Sequence, residues 1–205
     1  MNVKVLACAA GLALFSSSNL SAATLNVVDG QLVGASDVEI GSTLYDVTFA
    51  DGSCVATFDG CDSASDFAFT TEEEAAGAAL ALMEQVFVND LLGNFDTAPN
   101  LTSGCTSPFN CLVSTPFGIE DLSGTLDEIR VTTWTARNFA LENLDRTALF
   151  SQSIDIDTSD IDFRAYAVWT PSSTVAPIPL PAGLPLLATA LLGLGLWQRR
   201  RNEMI

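Results

Sequence analysis

The chain has 205 residues, of which 25 are acidic, eight are basic and none is histidine, giving a formal net charge of −17. Without histidine there is no Ser-His-Asp or Cys-His constellation and no histidine-ligated metal centre. A field this negative repels nucleic acid, and a hydrophobic content of 48 % excludes a wholly disordered chain.

Residues 1–23 read as a secretory signal peptide. Lys4 is the one charge before Asp29, residues 5–15 are apolar, and small residues follow as far as Ala22 and Ala23. The apolar run is shorter than the roughly 20 residues of a spanning helix. Cleavage is expected after Ala22 or Ala23.

Residues 24–170 are the expected exported domain, large enough for a real core. Of the 25 acidic residues one, Glu203, lies beyond the domain. Of the eight basic residues four lie within it (Arg130, Arg137, Arg146, Arg164), so the domain carries a formal −20. Such a surface suits saline water, where charges are screened beyond about 8 Å or less. The four arginines are scattered along the sequence and predict no anion-binding cluster.

The domain opens with short strands at 25–28, 31–33 and 38–40, separated by Asp29-Gly30, Gly34 and Gly41. Residues 44–50 alternate, with Leu44, Asp46, Thr48 and Ala50 on one face and Tyr45, Val47 and Phe49 on the other. Asp51-Gly52 reads as a hairpin turn, and 54–58 as the next strand of an antiparallel meander.

Thr71 followed by Glu74 is a capping box, and Glu72, Glu73 and Glu74 favour a helix N-terminus. The spacing of Ala76, Leu80, Met83, Phe87 and Leu91 predicts a helix over 71–92, widened by Ala79, Leu82 and Val86, that covers the sheet. Residues 96–108 form a polar loop. Further strands are expected at 111–115, 126–135, 138–141 and 161–170, with β-branched and aromatic alternation. In the last of these Phe163, Ala165, Ala167 and Trp169 oppose Arg164, Tyr166 and Val168. The fold class is α+β: a mainly antiparallel sheet with one principal helix.

Cys8 departs with the signal peptide, leaving Cys54, Cys61, Cys105 and Cys111. Four cysteines in an exported domain allow three disulfide pairings. The local pairs Cys54–Cys61 and Cys105–Cys111 are expected, because each brackets a turn-rich loop. Metal ligation competes poorly, for want of histidines and of a CxxC spacing.

Asp155, Asp157, Asp160 and Asp162 place four carboxylates within eight residues and could ligate calcium. The EF-hand pattern fails, however: Asp160 stands at the sixth loop position and Tyr166 at the twelfth. Ile154, Ile156 and Ile161 point instead to a surface strand or loop. No cofactor is otherwise expected. With this many carboxylates, no pair can be nominated for acid–base catalysis from sequence.

Residues 171–181 form a Pro/Ser linker. Within it begins a motif, Ile178, Pro179, Leu180, Pro181 and Ala182. An uncharged stretch, 182–197, follows, and then Arg199, Arg200 and Arg201. As a helix the stretch measures roughly 24 Å against a bilayer core of about 30 Å. Trp197 suits the interface, and the arginines keep to the cytoplasmic side.

These residues, 178–201, resemble a PEP-CTERM type sorting domain of the VPLPA variant, with Ile178 in place of the usual valine. The resemblance covers about 25 residues and implies nothing about the domain before it. It implies processing near the proline motif by an exosortase-type membrane protease, with exopolysaccharide or the cell-surface matrix as the setting. The expectation is a non-enzymatic protein exported through the inner membrane and held transiently by the 182–197 helix with its domain periplasmic. It ends at the cell surface or outside. The alternatives are a secreted carboxylate-dependent enzyme acting on polysaccharide and a calcium-binding adhesin-like module.

Overall fold

The computed structural model describes residues 22–122, 124 and 128–172. Of the expected signal peptide (1–23) all but Ala22 and Ala23, of the expected linker (171–181) all but residues 171 and 172, and the whole of the proline motif, the stretch 182–197 and the three terminal arginines lie outside the described residues.

Seven strands form one sheet: β1 (Thr24–Val28), β2 (Gln31–Ile40), β3 (Thr43–Ala50), β4 (Asn110–Asp121), β5 (Ile129–Phe139), β6 (Arg146–Ser153) and β7 (Arg164–Pro171). The spatial order is β1-β2-β3-β7-β4-β5-β6. Two antiparallel meanders, β1-β2-β3 and β4-β5-β6, are joined by the last strand, which runs antiparallel to β3 and parallel to β4. The architecture is therefore α+β, with a mainly antiparallel sheet and one principal helix.

A single turn, α1 (Cys54–Thr57), follows β3, and the principal helix is α2 (Glu72–Ala81). The Thr71 side chain accepts from the Glu74 amide, and three glutamates occupy the first turn. Such a cap contributes about 1 kcal/mol. Past Ala81 the helix widens into a π-type turn, Leu82–Val86, and ends there.

The two sheet faces are covered differently. On one face the buried Ala75, Ala78 and Ala79 of α2, and Leu82 just past it, pack together with Val113, Ala136, Ala165, Ala167 and Trp169. Alanines facing alanines let the helix lie close to the strands. On the other face Phe58, Phe67 and the Cys54–Cys61 disulfide pack with Val131 and Tyr166. Alternation along β7 explains the division: Ala165, Ala167 and Trp169 point to the helix, and Tyr166 and Val168 point away.

Several local expectations change. The stretches 31–33 and 38–40 belong to one strand, β2, with a bulge between Ala35 and Val38. There Asp37 takes φ 57°, and its amide donates to Asp46 Oδ1 at 3.0 Å. Asp51-Gly52 does not turn a hairpin. Ser53 caps α1 by accepting from the Ala56 amide, so 54–57 is helical rather than extended. The helix stripe is rotated from the predicted one. Leu80 is 48 % exposed and Leu91 fully exposed, because the small residues face the sheet and Leu91 lies beyond the helix. None of the expected strands covers β6. Its buried residue is Gln152, so it lacks an apolar alternation to announce it.

Candidate functional site

The disulfides Cys54–Cys61 and Cys105–Cys111 are both present in the structure. Closing a loop of about eight residues stabilises by roughly 2.5 kcal/mol in the chain-entropy model. The first disulfide fixes the segment that covers Tyr166. The second ties the loop before β4 to the second residue of that strand, and Cys105 also forms an isolated β-bridge with Phe163.

The four aspartates singled out in the sequence have different surroundings. All are exposed. Asp157 caps the 3-10 turn Thr158–Asp160, accepting from the Ser159 amide and hydroxyl at 2.9 and 2.6 Å. These bonds hold its carboxyl below the ordinary range. Asp162 lines a cleft of about 330 Å³ with Asp51, Gln31 and Asn100. Burial raises the Asp51 carboxyl; a bond from Thr158 opposes that and the charge of Asp157 adds to it. Among the described residues no three side chains of metal-binding type converge on one point.

The fold does assemble one carboxylate group that the sequence could not nominate. Asp96, in the long loop, reaches Asp145 and Glu142 between β5 and β6. Partial burial raises the Asp96 carboxyl, and its shared hydrogen bond and charge repulsion with Asp145 raise it further, against a lowering bond to Glu142. Asp145 itself accepts from the Phe139 amide. A folded-state value above the ordinary 3.8 means that stability is fully present below that value and is lost as pH rises through the folded one. Replacing Asp96 with Asn therefore raises the urea midpoint at pH 7 and leaves it unchanged near pH 3, in paired titrations at the two pH values.

The polar centre of the second face lies beyond the disulfide segment. Gln152 donates to the Tyr166 hydroxyl and accepts from Arg164 Nη1 at 2.9 Å. Ser114, Thr133 and Thr135 form a chain of hydroxyl contacts at 3.2 Å beneath them. Burial raises the Tyr166 phenol, so it stays protonated and serves as a neutral hydrogen-bonding group.

Next to this network the register places three of the domain's four arginines in one row. Arg146 on β6 stands opposite Arg137 on β5, Arg137 opposite Leu112 on β4, and Leu112 beside Arg164 on β7. They span 28 residues of sequence, and the sheet brings their backbone positions into register. Arg146 lies 5.2 Å from the centre of the Phe139 ring and Arg164 4.7 Å from that of Phe150. Arg137 has a buried Nε with no hydrogen-bond partner. Desolvation, and then the neighbouring Arg137 charge, lower Arg164, while Tyr166 acts in the opposite direction. The one ion pair among the described residues is Arg130–Glu128 at 3.1 Å, outside the row.

The register is the signal that exposes this row. The sequence spacing of Arg137, Arg146 and Arg164 carries no periodic cue, and the strand that holds Arg146 was not predicted. The chain matches no protein-family model, no curated protein and no solved structure.

Proposed function

We propose that this chain is an exported, non-enzymatic protein sorted by its 178–201 segment, with an exosortase-type membrane protease as its processing partner and the exopolysaccharide or cell-surface matrix as its destination. The observation that carries the reading is the order of three elements: Ile178, Pro179, Leu180, Pro181 and Ala182, then the uncharged stretch 182–197, then Arg199, Arg200 and Arg201. Each has a physical role in it. The prolines keep the chain extended and accessible to a protease. The apolar stretch partitions into the bilayer, and the arginines resist translocation. Two disulfides in the domain support an oxidising destination. Among the described residues no helix is long and apolar enough to cross a membrane, so this reading assigns anchoring to residues 182–197.

The test replaces Pro179 and Pro181 with Ala in the native host and follows the chain by fractionation and intact mass. The expected result is an unprocessed form retained with the membranes. A mature C-terminus of unchanged mass would overturn processing at this motif.

A further inference from the structure

The Arg146–Arg137–Leu112–Arg164 row is unfavourable for the sheet that carries it. Like charges directly opposite each other on neighbouring strands destabilise the pairing, and Arg137 and Arg146 are such a pair. The domain holds 24 carboxylates, all its acidic residues but Glu203. Among the described residues, none lies within 4.0 Å of these three guanidinium groups in an ion pair. Among the described residues the buried Nε donor of Arg137 is left without an acceptor. An unsatisfied buried donor is costly, more so when charged.

The guanidinium groups are nonetheless held in place. Aromatic rings support Arg146 and Arg164. Arg146 uses a donor on the Leu144 carbonyl at 3.2 Å and Arg164 one on Gln152 Oε1 at 2.9 Å. Most of the five N–H groups on each arginine remain for another acceptor. Charged donors that form no ion pair with the domain's own acids among the described residues match the chemistry of a bound oxyanion. A planar carboxylate accepts two parallel N–H bonds from a guanidinium.

The ligand's size follows from the domain's charge. A formal −20 repels a long polyanion, which cannot keep all of its charge on the row. A short ligand with its charge seated on the row meets little of that field once salt screens it beyond about 10 Å. Leu144, 41 % exposed, whose carbonyl accepts from Arg146, offers an apolar side chain at that end of the row for the uncharged body of the ligand.

We infer that the row formed by Arg146, Arg137 and Arg164 binds the carboxylate group of a small ligand, with Arg137 as the central donor. This site is independent of the sorting segment, and its test reads binding by the folded chain, whatever becomes of residues 178–201.

The experiment titrates the full chain, in a non-ionic detergent at about 0.1 M salt, with sodium acetate, trigalacturonate and neutral maltotriose, reading calorimetric heat and the shift of thermal midpoint. Saturable binding of acetate and trigalacturonate, but not of maltotriose, is expected. Binding of trigalacturonate alone identifies a sugar acid as the source of the carboxylate. Arg137→Gln weakens binding by at least about tenfold, as expected for loss of a charge-assisted pair. Arg146→Gln, at an exposed position, weakens it too and serves as the second variant if Arg137→Gln does not fold. Absence of saturable binding by both carboxylates, equal binding of maltotriose, or unchanged affinity in a folded arginine variant would overturn the assignment.

Discussion

Trp169→Ala is expected to lower the stability of the domain by about 3–5 kcal/mol, the cost of truncating a buried aromatic side chain. Trp169 sits on the central strand β7 at 5 % exposure. Its ring packs against Phe69 at 5.8 Å and Tyr45 at 6.4 Å between centres, and its indole N–H donates to Thr115 Oγ1 at 3.1 Å. It thereby ties the β1-β2-β3 meander, through Tyr45, to the β4-β5-β6 meander, through Thr115. Removing the ring leaves a cavity at that junction and takes a donor from a buried hydroxyl. Since a domain of this size is stable by only about 5–15 kcal/mol, the loss is a large share of the total. Urea unfolding of the oxidised full chain reads it directly. Trp169→Phe, which keeps most of the ring and loses the hydrogen bond, falls between the two. A loss below about 1 kcal/mol for the alanine variant would show that the two meanders are not held together at this point.

Gly34→Ala comes next, with an expected loss of about 3 kcal/mol or more, at or above the upper end of the overpacking range. A methyl group built on Gly34 would lie 2.1 Å from the Val47 carbonyl oxygen and 3.0 Å from the Thr48 Cα. Both are backbone atoms of the paired strand, so no side chain can swing aside. Relief requires opening the β2–β3 pairing at Gly34–Thr48, one residue from the bulge. The same strand carries Leu32 and Val38, both wholly buried, so the damage spreads to the α2-side core. Gly118→Ala is the matched control, since nothing lies within 4 Å of its added methyl group, and it should change stability by less than about 0.5 kcal/mol. Equal unfolding midpoints for the Gly34 and Gly118 variants would mean that β2 and β3 pair in another register.

Where the sequence was legible, the signal was local. The alternation of residues 44–50 gives β3, that of 126–135 falls largely within β5, and that of β7 assigns its faces correctly: Ala165, Ala167 and Trp169 turn one way and Tyr166 and Val168 the other. Thr71 and its three glutamates mark the start of α2. Where it was not legible, two local cues competed. Asp51-Gly52 has the residues of a hairpin turn, but Ser53 offers a helix cap at the same place and the cap prevails. The leucines of 80–91 outweigh the alanines on a hydropathy scale. The sheet has room for a close-packed helix, and so the alanines face it.

Sequence alone determined the acidity of this chain, the absence of histidine chemistry, the start of its main helix and the alternation of three strands, because each depends on residues within a turn or a pleat of one another. The tertiary structure decided that the last strand lies between the two meanders, that Asp96 meets Asp145, and that Arg137, Arg146 and Arg164 share a row. These depend on which strand edges meet. That choice is made by the burial of whole faces across the fold, and no short window of sequence contains it.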